Sequence, residues 1–99
     1  MTKARTATTR TIGDLATLLD LDASEARYIE VRVQLLNRII GEVRRRNLTH
    51  AEAADLAGTS RTRMTAILNG NLRGISTDLL LRILTSLGLR ARITFARLA

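Results

Sequence analysis

Apolar residues recur every three or four positions along most of the chain, which is the spacing of α-helices. The longest run consists of Ala26, Ile29, Val33, Leu36, Ile40 and Val43. A second stripe beside it consists of Tyr28, Val31, Leu35 and Ile39. These stripes predict a helix from about Asp22 to Arg46. Because its apolar arc is wide, we expect this helix to pack against more than one neighbour.

The ends of this long helix carry recognisable signals. Asp22 followed by Glu25 has the outline of a capping box, and Ser24 is an alternative N-cap. At the other end, the basic run 44–46 suits the negative end of the helix dipole. A contact of these arginines with a phosphate would be additional to that role.

The N-terminal region is less regular. Ile12, Leu15, Leu18 and Leu19 have helical spacing, so Thr11–Leu21 is predicted to form a short helix or an apolar strap. Residues 1–10 show no hydrophobic periodicity, and we expect a flexible tail. The domain is therefore predicted to span residues 11–99.

Two short helices are predicted in the middle of the chain. Thr49 and Glu52 form a capping box of the T-x-x-E type, and the helix that they begin is rich in alanine. Gly58 follows as the residue expected to take a positive φ. Ser60 then caps a helix predicted for 61–69, which Gly70 ends. Met64, Ile67 and Leu68 are its inward residues.

The pattern changes at the C-terminus. Ser76 is predicted to cap a last helix that ends at Gly88. Its inner face consists of Leu79, Leu80, Ile83, Leu84 and Leu87. From 89 to 96 apolar and polar residues alternate, which predicts a half-buried strand. Its apolar positions are Leu89, Ala91, Ile93 and Phe95.

A single strand leaves its backbone groups unpaired, so it needs a partner. No second convincing strand is present in the sequence. We predict that 89–96 pairs with the same strand of a second copy, giving a homodimer with a twofold axis. The alternatives are a frayed tail and pairing with a different protein. The predicted fold is thus mainly α, with five helices and one dimerising strand.

Composition narrows the chemistry. The chain has 99 residues and no cysteine, so a disulfide framework, a thiolate nucleophile and a cysteine-based zinc site are excluded. Its one histidine, His50, lies at a predicted helix start, where capping or a phosphate contact is the simpler role. We therefore expect no enzyme, cofactor, metal or small-molecule ligand. Without a membrane span or secretory signal, a cytoplasmic protein is expected, at the nucleoid when bound to DNA.

The formal charge is +7, and the excess is uneven. Residues 56–99 contain seven arginines and one acidic residue, Asp78. A basic half favours a polyanionic partner, nucleic acid first, although a solvated basic surface is the alternative. A third alternative, an RNA-binding or structural partner helix, is disfavoured because the sequence offers no aromatic platform for bases.

Two short helices around a glycine turn are typical of a helix-turn-helix motif. In that motif the start of the second helix presents side chains to base edges in the major groove. Here those positions are Arg61, Thr62, Thr65 and Ala66. The full predicted DNA-binding set is Thr49, His50, Ser60, Arg61, Thr62, Arg63, Thr65, Ala66, Asn69, Asn71 and Arg73.

The segment "NLTHAEAADLAGTSRTRMTAILNG" resembles the XRE/Cro-type helix-turn-helix of phage repressors. The resemblance rests on Leu48, Thr49, Glu52, Ala54, Gly58, Ser60, Arg61, Met64, Thr65, Ile67 or Leu68, and Gly70. His50 stands where the family commonly has a phosphate-anchoring Gln. Arg61 also stands where Gln is commonest, which suggests a preference for guanine.

The wider layout, with "TIGDLATLLDL" before the long helix and "ISTDLLLRILTSLGLRARITF" at the end, is similar to small HigA-type antitoxins. This resemblance spans 11–95. It implies a homodimer that represses its own operon and neutralises a RelE/HigB-like ribonuclease toxin. Six acids precede Arg44 and suit a basic toxin: Asp14, Asp20, Asp22, Glu25, Glu30 and Glu42. A free-standing regulator of XRE or phage type, without a toxin, is the alternative.

Overall fold

The computed structural model describes residues 23–97, and four segments of it are α-helical. They are α1 (Ala23–Arg45), α2 (His50–Ala57), α3 (Arg61–Leu68) and α4 (Thr77–Ser86). These four helices confirm the mainly α prediction. The predicted tail 1–10 and the predicted short helix 11–21 lie outside the described residues.

The described chain divides into two units, and the division falls within α1 after Gln34. In the first unit, residues 23–34, two contacts join neighbouring turns of the helix. The guanidinium of Arg32 lies 5.4 Å from the ring centre of Tyr28. Arg27 Nη1 lies 3.9 Å from Glu30 Oε1. Pairs of this kind stabilise a helix weakly, by roughly 0.2–0.5 kcal/mol each.

The hydrophobic core lies in the second unit, residues 35–97, and all four helices contribute to it. Its buried members are Leu36, Ile39, Val43, Ala53, Ala54, Met64, Ile67, Ile75, Leu80, Ile83, Leu84 and Leu87. The core is aliphatic, with one methionine and no aromatic ring. α2 packs against both α3 and α4. Its buried residues are the small side chains Ala53 and Ala54, which allow close approach of the neighbouring helices.

The capping box predicted for α2 and the serine cap predicted for α3 can be compared directly with the structure. Thr49 Oγ1 accepts a hydrogen bond from the Glu52 amide at 3.0 Å, and Glu52 Oε1 accepts one from the Thr49 amide at 2.8 Å. Ser60 Oγ accepts from the Arg63 amide at 3.0 Å. Both caps are confirmed. The capping box predicted at Asp22 involves a residue outside the described part of the chain.

The turn between α2 and α3 depends on Gly58. Its φ is 68°, in the left-handed region that residues with a Cβ avoid. The amide of Thr59 then donates to the Ala54 carbonyl oxygen at 3.0 Å, which completes the C-terminus of α2. Ser60 follows at once as the N-cap of α3. The predicted glycine turn is confirmed, and it explains how two helices of eight residues follow each other with so short a connection.

The predicted strand at 89–96 is not formed in the single chain, since the described residues 89–97 have neither helical nor strand structure. The physical reason is that a strand exists only when a second strand pairs with its backbone groups. Leu89 ends the α4 turn instead: its amide donates to the Leu84 carbonyl oxygen at 3.1 Å. Its side chain packs against the core, whereas Ala91, Ile93 and Phe95 are exposed.

Candidate nucleic-acid interface

α3 presents one face to the core and the other to solvent. Met64 and Ile67 are fully buried, so they fix the orientation of the helix. Successive residues are rotated by about 100° around a helix axis. Thr62, Ala66 and Asn69 therefore lie on the side opposite the buried pair. Thr65 lies at the edge of this outer face, on the side of α2.

The N-terminus of α3 is electrostatically unlike those of the other described helices. α1, α2 and α4 each carry an acidic residue in the first turn: Glu25, Glu52 and Asp78. α3 has no acidic residue there. Its first turn carries Arg61 and Arg63 instead, both exposed. Basic side chains at the positive end of a helix dipole destabilise the helix, whereas a bound anion there is stabilised.

The capping hydroxyls differ in what surrounds them. Ser60 and Thr49 each accept one backbone amide, and each hydroxyl keeps its own hydrogen for donation to an oxygen. The Glu52 carboxylate already lies at the start of α2, where it bonds to the Thr49 amide. A negative charge at that position disfavours a second anion. Ser60 is therefore better placed than Thr49 to bind a phosphate oxygen.

His50 and Thr65 contact each other. His50 Nδ1 lies 2.9 Å from Thr65 Oγ1, a hydrogen bond that joins the start of α2 to the outer edge of α3. Both residues are half-buried. The second ring nitrogen, Nε2, remains for a contact outside this pair. The sequence analysis predicted each of these residues to contact DNA but predicted no contact between them, and the structure shows that they are hydrogen-bonded to each other.

The segment after α3 carries the remaining predicted site residues. Asn69 is the C-cap of α3, and Gly70, with φ of 86°, turns the chain. Asn71 Oδ1 accepts a hydrogen bond from the Arg73 amide at 3.2 Å, which shapes the following loop. The side chains of Asn69, Asn71 and Arg73 are exposed.

A cleft of about 340 Å³ lies between the end of α1, the start of α2 and the end of α3. Its lining residues are Ile40, Val43, Arg44, Asn47, Leu48, His50, Leu68 and Asn69. Two predicted residues, His50 and Asn69, thus share a cleft with Arg44 and Asn47, which the sequence did not assign to the site. The signals available were the basic last turn of α1 and an asparagine, a residue type that tolerates the left-handed φ of 55° observed at Asn47.

Other classes of site find no counterpart in the part of the chain that the structure describes. Among residues 23–97, no group of histidine and acidic side chains is arranged to hold a metal ion. None of the helices in that range combines the length and apolarity needed to cross a bilayer.

Two short helices joined at a left-handed glycine, with the second held by a buried Met and Ile and presenting arginines, define a helix-turn-helix. The family described as "Helix-turn-helix domain" matches residues 17–95. The chain belongs to this family, whose members bind DNA and typically catalyse no reaction. No curated protein and no solved structure matches the chain significantly.

Proposed function

We propose that this protein is a sequence-specific repressor of transcription, related to the XRE/Cro type, that inserts α3 into the major groove of operator DNA. The observation that carries the proposal is the N-terminus of α3. It holds two exposed arginines and a serine cap, with no acidic residue in its first turn. A helix end of this kind is least stable alone and is stabilised by a polyanion.

The proposed DNA-binding residues form two groups, those that contact bases and those that contact the DNA backbone. Arg61, Thr62, Thr65 and Ala66 are proposed to face base edges, where an arginine forms a bidentate pair with guanine O6 and N7. The residues proposed to contact the DNA backbone are Thr49, His50, Ser60, Arg63, Asn69, Asn71 and Arg73. Contacts of the second kind position the protein without reading sequence.

The test compares Arg61→Ala with Arg73→Ala. A duplex selected from a random library by the wild-type protein serves as the specific probe, and a scrambled duplex serves as the non-specific one. Arg61→Ala is expected to lose about 1–3 kcal/mol on the specific duplex only and to relax one base pair. Arg73→Ala is expected to weaken both duplexes alike and to lower the salt slope by about one.

Arg97→Ala is the matched control, because it removes an exposed arginine from the C-terminal segment. Its effect on the specific duplex should be smaller than that of either substitution. If Arg61→Ala and Arg73→Ala weaken both duplexes equally, direct reading of bases by α3 is wrong. If the wild-type protein selects no duplex, the repressor proposal as a whole fails.

The domain is proposed to act as a homodimer in which residues 89–96 of two copies pair. Exposure of the segment supports this proposal: the side chains of Ile93 and Phe95 are 69% and 94% exposed. These are the two most exposed large apolar side chains in the described chain. Two recognition helices would then read half-sites about one DNA turn apart, or a multiple of it, which footprinting can measure.

Phe95→Asp tests the dimer. In sedimentation at micromolar concentration, the wild-type protein is expected to be dimeric and Phe95→Asp monomeric, with much weaker binding to the selected duplex. Leu56→Asp is the control, because Leu56 is also an exposed apolar residue and lies in α2. A Phe95→Asp protein that remains dimeric would rule out this interface.

The similarity to HigA-type antitoxins extends the proposal to a second partner, a basic RelE/HigB-like ribonuclease. Its support from acidic residues is reduced by the structure: Glu42 is buried and bound by Arg45, so it is not available to a toxin. The other acids among the described residues before Arg44 are Glu25 and Glu30, and Glu30 lies 3.9 Å from Arg27 Nη1. The alternative is a free-standing regulator.

Co-expression with the product of the adjacent reading frame distinguishes these two roles. For an antitoxin, the two products should co-purify, and this protein should restore growth that the neighbouring product arrests. For a free-standing regulator, neither effect should occur while operator binding is intact.

A further inference from the structure

The hydrogen bond between His50 and Thr65 has a direction that depends on where the imidazole proton lies. A neutral imidazole has one nitrogen that donates and one that accepts, whereas a protonated imidazole donates from both. The distance of 2.9 Å between His50 Nδ1 and Thr65 Oγ1 fits either direction. The hydroxyl of Thr65 adapts, because it can both donate and accept.

When Nδ1 is unprotonated it accepts the Thr65 hydroxyl hydrogen, and the oxygen lone pairs of Thr65 remain for a donor outside the protein. When Nδ1 is protonated it donates to Thr65 Oγ1, and the hydroxyl hydrogen is free to point outward. We propose that His50 sets the hydrogen-bonding direction of Thr65 toward DNA, so that one base preference of this protein changes with pH. This inference rests on the proposed binding of DNA by α3.

The groups that line the cleft around His50 come from α1, the following turn and α3. From α1 the charged side chain that lines the cleft is Arg44, which keeps its charge, and from the following turn Asn47 is neutral. From α3 the lining residues are Leu68 and Asn69. On α2 itself, the Glu52 carboxylate accepts from the Thr49 amide. His50 is the only histidine in the sequence.

The two directions favour different bases in the major groove. Cytosine presents an amino donor there, whereas guanine O6 and N7 and thymine O4 are acceptors. Thr65 as an acceptor suits the cytosine amino group, and Thr65 as a donor suits guanine or thymine. Neutral His50 permits both arrangements, whereas protonated His50 always occupies one lone pair of Thr65 Oγ1 and leaves the hydroxyl hydrogen free, which favours the second. Lowering the pH should therefore act against cytosine at the position nearest Thr65.

The experiment selects duplexes from a random library with the wild-type protein at about pH 8 and about pH 5.5, the range over which histidine side chains ordinarily change charge. At one base pair, the ratio of guanine plus thymine to cytosine on the strand nearest Thr65 should rise at the lower pH. The expected change is on the order of fivefold, the size of one hydrogen bond. Overall affinity is measured separately, because a protonated histidine near phosphate raises it without changing base preference.

Three variants separate the proposed role from a structural one. His50→Gln keeps a hydrogen-bonding side chain that does not titrate, and Thr65→Val keeps the shape of threonine without the hydroxyl. Both should bind DNA with the same base preference at the two pH values. Thr65→Ser restores the hydroxyl and should restore the shift. Thermal unfolding of each variant at both pH values shows that binding is compared between folded proteins.

A preference in the wild-type protein that is the same at both pH values would overturn the inference, as would a shift that persists in Thr65→Val. Either result leaves the proposed repressor function standing. That function fails on a different observation, the absence of selection for any duplex at either pH.

Discussion

Arg46 Nη1 donates a hydrogen bond to the backbone carbonyl oxygen of Leu87 at 3.1 Å, across 41 positions of sequence. Arg46 directly follows α1, and Leu87 is the C-cap of α4. The last carbonyl groups of a helix have no partner within the helix and carry the negative end of its dipole. The guanidinium of Arg46 therefore ties together the ends of two helices on either side of the DNA-binding motif.

Arg46→Met should lower the free energy of unfolding by about 1 kcal/mol, the size of one partly exposed hydrogen bond to a charged donor. Urea unfolding followed by circular dichroism measures the change. Arg44→Met is the matched control, since Arg44 lies two residues earlier in the same basic run and makes no such hydrogen bond to a described residue. Equal losses in the two variants would show that charge, rather than the bond to Leu87, is responsible.

Alanine in place of two glycines should have opposite effects on stability. Gly58 has a φ of 68° in the turn between α2 and α3, whereas Gly41 lies in the middle of α1. An added Cβ would meet no atom within 4 Å at either position, so backbone conformation alone decides the result. Gly58→Ala should destabilise by roughly 1–2 kcal/mol. Gly41→Ala should stabilise by roughly 0.5–1 kcal/mol.

Urea unfolding of the two alanine variants and the wild type checks this pair. Gly58→Asn is a useful third variant, because asparagine tolerates the left-handed region better than alanine. It should lie between Gly58→Ala and the wild type. A neutral Gly58→Ala would mean that the turn relaxes to another conformation and that its geometry is not required for the fold.

Helix caps and turn residues predicted most of the described fold, because each depends only on residues that are close together in sequence. Thr49 with Glu52, Gly58 and Ser60 each act within one helix turn, so their caps and positive φ follow from sequence order. The alternating segment 89–96 is different, since a strand depends on a second backbone. Leu89 shows the difference. The alternating pattern predicts that Leu89 and Ala91 lie on the same face of a strand, but Leu89 follows α4 and its side chain packs against the core of its own chain, whereas Ala91 is exposed.

The sequence predicted which residues form the candidate site, but it did not predict the contacts between them. Helical periodicity places Thr65 toward the outside of α3, and the cap pattern places His50 at the start of α2. Their hydrogen bond depends on how α2 crosses α3, which the packing of Ala53 and Ala54 decides. Glu42 is a second case. Its position suggested a surface acid, but the Arg45 guanidinium covers it and makes it part of the fold.

Charge reversal at Arg61 should separate stability from function. Arg61→Glu places an acidic side chain in the first turn of α3, where it interacts favourably with the helix dipole, by about 0.3–1 kcal/mol. The variant should unfold at a slightly higher temperature than the wild type and lose binding to the selected duplex. Arg97→Glu makes the same change in net charge at the C-terminal segment. It should raise the unfolding temperature less than Arg61→Glu does, and it should weaken binding to the selected duplex less. A less stable Arg61→Glu would contradict the electrostatic account of α3.

The Glu42 carboxylate should make the protein more stable at neutral pH than in acid. Arg45 Nη2 lies 2.6 Å from Glu42 Oε2, and Arg45 Nε lies 3.1 Å from Oε1. This hydrogen bond chiefly, with the positive charges of Arg45, Arg46 and Arg38, holds the pKa of Glu42 below its ordinary value of 4.5, although burial opposes the shift. A lowered pKa in the folded state stabilises the fold above the ordinary value, and that stabilisation is lost as the pH falls through the lowered pKa.

Comparison of the wild type with Glu42→Gln by urea unfolding at about pH 7 and about pH 3 measures this contribution. The wild type should exceed the variant in free energy of unfolding by more at pH 7 than at pH 3, because in acid the unfolded chain binds a proton at Glu42 more readily than the folded chain does. In an Arg45→Met background, the same Glu42→Gln change should depend less on pH, since the main cause of the lowered pKa is absent. A wild-type advantage that grows on acidification would contradict the role of Arg45, because it would require a pKa raised by burial rather than one lowered by the guanidinium.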